Sequence, residues 1–132
     1  MHINGIDHMT IIVKNLEESK KFYVGLLGFT QLPAVNEGDH ILHYFLVPGG
    51  QKIELNEYLY QTRDSVSLLK DRGTWRHLAF AVDDAKAWEQ KLTQAGYPFH
   101  YPVSFDKALG CYSGLVKDPN GVELEFVQHV GQ

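Results

Sequence analysis

Cysteine is almost missing: Cys111 is the only one in 132 residues, which excludes an intrachain disulfide and a cysteine-built zinc site. Long apolar runs are missing too. Nothing approaches the roughly 20 residues that a membrane-spanning helix needs. Positive charge is scarce: 12 Lys and Arg face 16 Asp and Glu, the formal charge is −4, and there is no basic block. A nucleic-acid partner therefore has little electrostatic support. The opening residues show no basic region followed by an apolar stretch, so a cytoplasmic protein is expected. The glycine-rich turns at 48–50 and 118–121 lack phosphate-loop spacing, which leaves nucleotide binding unsupported. What remains is an ordinary globular balance, 44% hydrophobic and 21% charged, in a chain too short for separate cofactor and substrate domains.

Hydrophobic alternation places a strand at 6–13, with Met9 and Ile11 on one face and His8 and Thr10 on the other. Asn15, followed by Glu18, caps a helix with the stripe Phe22, Tyr23, Leu26 and Leu27, and Gly28 stops it. Short strands are expected at 29–35, 40–47 and 51–57, and a short helix or irregular crossover at 62–72 ended by Gly73. The order then restarts. A strand at 76–82 precedes a helix capped by Asp83 or Asp84, with the stripe Ala85, Trp88, Leu92 and Ala95 and Gly96 as its stop. Strands follow near 99–103, 111–117 and 122–128, with Asp118-Pro119-Asn120-Gly121 turning between the last two.

This is a β-α-β-β-β unit written twice. His8 and His77, Gly28-Phe29 and Gly96-Tyr97, the two Pro-containing turns, and Ile53-Glu54-Leu55 and Leu124-Glu125-Phe126 recur at offsets of 68 to 71 positions. The reading is an α+β domain spanning 1–132: a first module at about 4–60, a crossover at about 61–73 and a second module at about 74–130, related by a pseudo-two-fold. Each half is too small to bury a sheet face well alone.

Period-two alternation turns His8, Glu54, His77 and Glu125 away from the apolar residues that flank them. The repeat places all four on equivalent strands. Imidazole with carboxylate suits a borderline divalent ion such as Zn, Ni, Co, Mn or Fe(II), whose charge offsets the cost of burying carboxylates. A hydrogen-bonded strand histidine and a solvated glutamate are the plainer reading of each residue by itself; the symmetric quartet favours a metal.

These residues sit in two recognisable phrases. IDHMTIIVKNLEESKKFYVGLLGF at 6–29 and DPNGVELEF at 118–126 resemble the opening and closing signatures of the vicinal oxygen chelate superfamily. That superfamily includes glyoxalase I, methylmalonyl-CoA epimerase, extradiol dioxygenases, and fosfomycin- and bleomycin-resistance proteins. The resemblance implies two βαβββ modules forming half-open barrels. It also implies a homodimer whose sites are shared between chains, each drawing His8 and Glu54 from one and His77 and Glu125 from the other. By position, His8, His77 and Glu125 match the ligands common to its enzymes, and Glu54 in KIEL matches the fourth ligand of bacterial glyoxalase I. Glu125 is matched rather than Glu123, because it is the fourth residue after the glycine of the turn.

The implied activity is a metal-dependent, glyoxalase-like lyase that transfers a proton on an α-hydroxycarbonyl, hemithioacetal-type substrate through an enediolate. Glu125 or Glu54 would be the base, with one Ni, Co, Zn or Mn ion per site. One departure is Ile12, which stands where the bacterial enzyme carries an arginine for the glutathione carboxylate; Arg63, Arg72, Arg76 and Lys107 are cations that loops could bring instead. The alternative is a ring-cleaving dioxygenase with Fe(II) on His8, His77 and Glu125. Tyr97, Phe99, Tyr101, Phe105 and Tyr112, with His43 and Tyr44, would then be candidates for its pocket, though core packing is the plainer role for each. A fosfomycin-type enzyme shares Thr10, but Leu115 replaces its tyrosine and the arginine-rich tail is missing. A non-catalytic binding protein of the bleomycin-resistance type would not require the full quartet.

Overall fold

The computed structural model describes residues 1–63 and 75–131. From residue 64 onward, the expected crossover at 62–72, with Arg72 and the stop at Gly73, lies outside the described residues. The chain divides into two compact units, Met1–Ser65 and Val66–Gln132.

In the first unit β1 (His8–Ile12) leads into α1 (Leu16–Lys20), which continues as a π-helical stretch, Lys21–Leu26. β2 (Thr30–Gln31), β3 (Val35–Asn36), β4 (His40–Leu46) and β5 (Lys52–Tyr58) follow. Asn15 Oδ1 accepts the Glu18 N–H at 3.1 Å, the capping role expected of it. The helix is less regular than its sequence suggests. The Leu27 N–H reaches back five residues to the Phe22 carbonyl, a wide turn that carries Phe22, Tyr23 and Leu27 into the core while Leu26 stays half-buried. The expected strand at 29–35 is also divided, into β2 and β3. Pro33 stands in the gap and has no N–H for a ladder.

The sheet order is β1-β5-β4-β2, with β3 also on β4. β1 pairs parallel with β5, and the rest are antiparallel. The last long strand therefore returns beside the first. One face carries Ile11, Phe45, Ile53 and Leu55, buried with the helix residues Phe22, Tyr23 and Leu27 and with Phe29. Each such side chain contributes about 1.5–3 kcal/mol on burial. Among the described residues of this unit no helix covers the other, open face.

The second unit repeats the plan with β6 (Leu78–Ala81), α2 (Ala85–Gln94), β7 (Phe99–Asp106), β8 (Cys111–Lys117) and β9 (Glu123–His129). Its order is β6-β9-β8-β7, again with the first and last strands parallel. Of the two candidate caps, Asp84 is used: its Oδ1 accepts the Ala87 N–H at 3.0 Å. Ala85 and Leu92 of the expected stripe are fully buried, and Trp88 lies against Phe126 at 5.6 Å between ring centroids. Phe80 and Phe99 close on the same ring at 5.8 and 5.9 Å. Ala95 is exposed, because the helix ends before it. β7 crosses β8 so closely at Gly114 that an added Cβ would lie 2.8 Å from both Phe99 and Val103. Both units are thus βαβββ modules with unclosed sheets, an α+β architecture. Among the described residues no helix is long and apolar enough to cross a membrane.

Candidate metal centre

Strand register assembles a polar cluster on the open face of each unit. In the first, parallel pairing sets Thr10 opposite Glu54 and His8 opposite Lys52. The β4–β5 hairpin sets Tyr44 opposite Glu54 from the other side. His8 Nε2 lies 3.4 Å from Glu54 Oε2. The other ring nitrogen, Nδ1, is 2.7 Å from Asp7 Oδ2. Thr10 Oγ1 donates to Glu54 Oε1 at 3.2 Å, and the Tyr44 hydroxyl donates to the same carboxylate. The Tyr44 ring stands edge-on to His8, and Lys52 Nζ is 5.8 Å from its centroid.

Electrostatics follow from these contacts. The hydrogen bond from His8, then the nearby Lys52 charge, hold the Asp7 carboxyl below its ordinary value of 3.8. The bond to Glu54, then burial, hold the Tyr44 phenol above its ordinary value of 10.0. Asp7 is therefore an anion and Tyr44 a neutral donor at neutral pH.

The second unit has a matching pair. His77, just before β6, places Nε2 3.5 Å from Glu125 Oε2. Its Nδ1 faces Glu123 Oε1 at 3.6 Å. Both of those atoms are buried and, among the described residues, lack a hydrogen-bond partner, so a small approach would satisfy both at once. Glu123 also meets His100 Nε2 at 2.9 Å and Arg76 at 3.6 Å. The strand neighbours of Glu125 are Ala79 and Leu115, where those of Glu54 are Thr10 and Tyr44.

The donor set fits a divalent ion. In the neutral tautomer that donates Nδ1–H to Asp7, His8 Nε2 turns a lone pair toward a carboxylate oxygen. A nitrogen lone pair and a carboxylate oxygen placed side by side can share a cation. Nitrogen and oxygen ligands at about 2.0–2.2 Å from one ion stand roughly 3.0–3.5 Å from each other, the separation found in both pairs. A carboxylate behind each imidazole is the usual support of a metal-binding histidine. Each unit brings one His–Glu pair together, and among the described residues no group of three or more His, Cys, Asp or Glu gathers to hold an ion.

Other candidates separate. His43 points the opposite way from Tyr44, into the helix-covered face, where its Nε2 meets Glu57 at 3.2 Å. Phe99 packs on Phe126, while Phe105 and Tyr112 pair with each other at 5.0 Å and remain exposed. Arg76 is engaged by Glu123, and Arg63 and Lys107 are exposed. Ile12 is 53% exposed on the open face. Cys111 is buried in β8, at the end of the strand remote from the turn that leads to Glu125.

Sequence reasoning missed Asp7 and Lys52 outright, and it missed the places of Tyr44, expected only as a pocket residue of the dioxygenase alternative, and of Glu123, weighed only as a ligand. For three of them a signal existed. Lys52 and Glu123 stand two before the glutamate on the same strand, and so on the same face. Tyr44 and Glu54 are equidistant from Gly49, as Leu115 and Glu125 are from Asn120, so hairpin symmetry alone would have paired them.

Known proteins share this fold. YwkD, an uncharacterized protein of Bacillus subtilis, is 30% identical over 97% of this chain and 99% of its own. The solved glyoxalase family protein from Enterococcus faecalis is 27% identical, with a TM-score of 0.80 over 96% of this chain and 99% of that one. The trypanothione-dependent glyoxalase I of Leishmania major shares the fold at 23% identity, with a TM-score of 0.73 over 96% of this chain and 87% of that one. Residues 5–126 match the model of one protein family. The chain belongs to the Glyoxalase/Bleomycin resistance protein/Dioxygenase superfamily.

Proposed function

We propose that this protein is a metal-dependent lyase of the glyoxalase type, acting by proton transfer on an α-hydroxycarbonyl substrate such as a hemithioacetal. The observation that carries the reading is the pair in each unit, an imidazole Nε2 and a carboxylate oxygen 3.4–3.5 Å apart. His8, Glu54, His77 and Glu125 would hold one Ni, Co, Zn or Mn ion. When bound, the ion supplies positive charge to the two neighbouring substrate oxygens and acidifies the C–H beside the carbonyl.

The chain's residues do the rest. Asp7 fixes the His8 imidazole through Nδ1, and Glu123, 3.6 Å behind Nδ1 of His77, is placed to do the same after a small approach. Glu54, held by two hydroxyls, stays in place. Glu125, with apolar strand neighbours and a side chain 24% exposed against 8% for Glu54, is the group with freedom to move a proton. Its carboxylate takes the proton from the carbon bearing sulfur and returns it to the former carbonyl carbon. The hydroxyl proton passes to the other oxygen, so the product is the isomeric thioester. Lys52 offers positive charge on the open face, and Ile12 offers apolar surface in place of a second cation. That combination suits a thiol less anionic than glutathione.

Four ligands need two His–Glu pairs. In our reading they come from different chains of a homodimer, His8 and Glu54 from one protomer and His77 and Glu125 from its partner. The test is elemental analysis of untagged protein purified without chelator, followed by assays on methylglyoxal adducts of several thiols. About one air-stable Ni, Co, Zn or Mn per site with isomerase activity supports the reading. Iron lost in air, with cleavage of catechols, would replace it with a dioxygenase. No metal after reconstitution would leave a ligand-binding protein.

A further inference from the structure

The repeated units form an internal comparison. Their ligand pairs are alike, but the residues in register with the two glutamates are not. Glu54 has Thr10 on one side and Tyr44 on the other, both with hydroxyls that reach it. Glu125 has Ala79 and Leu115 at the equivalent places, and neither side chain can donate a hydrogen bond. The same strand geometry thus clamps one carboxylate and leaves the other unclamped.

We propose that Thr10 and Tyr44 are positioning residues that hold Glu54 in a single orientation as a metal ligand, a task that the strand neighbours of Glu125 cannot perform for it. This rests on the metal site proposed above. Three features favour this over incidental packing. The hydroxyls arrive from strands on opposite sides of β5, so the carboxylate is restrained from two directions. The Thr10 bond is to Oε1, which leaves Oε2 turned toward His8 Nε2. The Tyr44 ring also packs edge-on against His8, so one side chain touches both members of the pair. Hydroxyl bonds to a ligating carboxylate act as second contacts do in metal sites generally, where their loss costs about 10- to 100-fold in affinity.

The test compares Tyr44→Phe, Thr10→Val and Thr10→Ser with the unaltered protein. Zn(II) affinity is measured by chelator competition on metal-free protein, and the Co(II) absorption spectrum reports ligand geometry. Thermal melting of the metal-free forms shows whether each variant folds. The expected result is a loss of about 10- to 100-fold in Zn(II) affinity for Tyr44→Phe and about 10-fold for Thr10→Val. Both Co(II) spectra should change, while Thr10→Ser, which keeps the hydroxyl, should retain affinity and spectrum. Wild-type affinity in folded Tyr44→Phe and Thr10→Val would overturn the inference while leaving the metal reading intact. Equal losses in Thr10→Ser and Thr10→Val would also overturn it for Thr10. An unaltered protein that binds neither ion would overturn the metal reading itself, and this inference with it.

Discussion

Two damaged chains should repair one another. His8→Ala removes a proposed ligand from the first unit and His77→Ala one from the second, because each histidine meets a glutamate of its own unit. Both imidazoles are about a third exposed, so truncation leaves little cavity and costs on the order of 1 kcal/mol or less. Either variant by itself should bind metal at least about a hundredfold more weakly and lose a similar factor in activity. In a shared-site homodimer a mixed pair has both lesions in one site and none in the other. Equal mixing with free exchange makes half the dimers mixed, so about a quarter of wild-type sites should reappear. The assay is metal content and isomerase rate of the exchanged mixture, set against each variant handled identically. Sites built within one chain would each keep a lesion, and the mixture would recover nothing. Zero recovery in a sample whose mixed dimers are demonstrated by mass would therefore refute the shared site.

Gly114→Ala should lower stability by about 1–3 kcal/mol, since its Cβ would crowd Phe99, Val103 and the Tyr101 carbonyl; a melting temperature equal to wild type would contradict the close approach of β7 and β8. Asp118→Ala should cost about 1–3 kcal/mol, because the buried carboxylate accepts the N–H groups of Asn120 and Val122 at 2.8 Å; Asp118→Asn, which keeps an acceptor, should recover part of that in a denaturant titration. In alkaline spectrophotometric titration, Tyr44 and Tyr60 should ionise after an ordinary phenol. A raised folded value means that their stabilisation is complete below pH 10.0 and is lost as pH rises through the raised value. Tyr44→Phe should delete one late component, and seven tyrosines ionising together near the ordinary value would contradict the hydrogen bond to Glu54.

Much of this fold is legible in the sequence, since period-two strands and capped amphipathic helices recur at a fixed offset. Asn15, Asp84, Gly28 and Gly96 mark helix ends by local chemistry, and local chemistry is readable. The pairs His8–Glu54 and His77–Glu125 were legible because alternation fixes the side of a strand on which a residue lies. What was not legible depends on partners distant in the chain. The wide turn after Lys20 answers to core packing rather than propensity. The contact of Thr10 with Glu54 requires the parallel register of β1 on β5, which no turn specifies. His43 and Tyr44 look equivalent as neighbours in sequence, and only the sheet separates them, one into the core and one onto the open face.

The parallel pairing of first and last strands has a kinetic consequence. His8 cannot meet Glu54 until β5 has been made and has docked, and His77 likewise waits for β9. Closing a loop of that length carries a length-dependent entropic cost of roughly 3 kcal/mol, met only when the rest of the sheet is in place. On the ribosome the glutamate of each unit emerges last. A nascent or truncated chain therefore presents scattered histidines rather than His–Glu pairs, and capture of the proposed metal would have to wait for a finished unit.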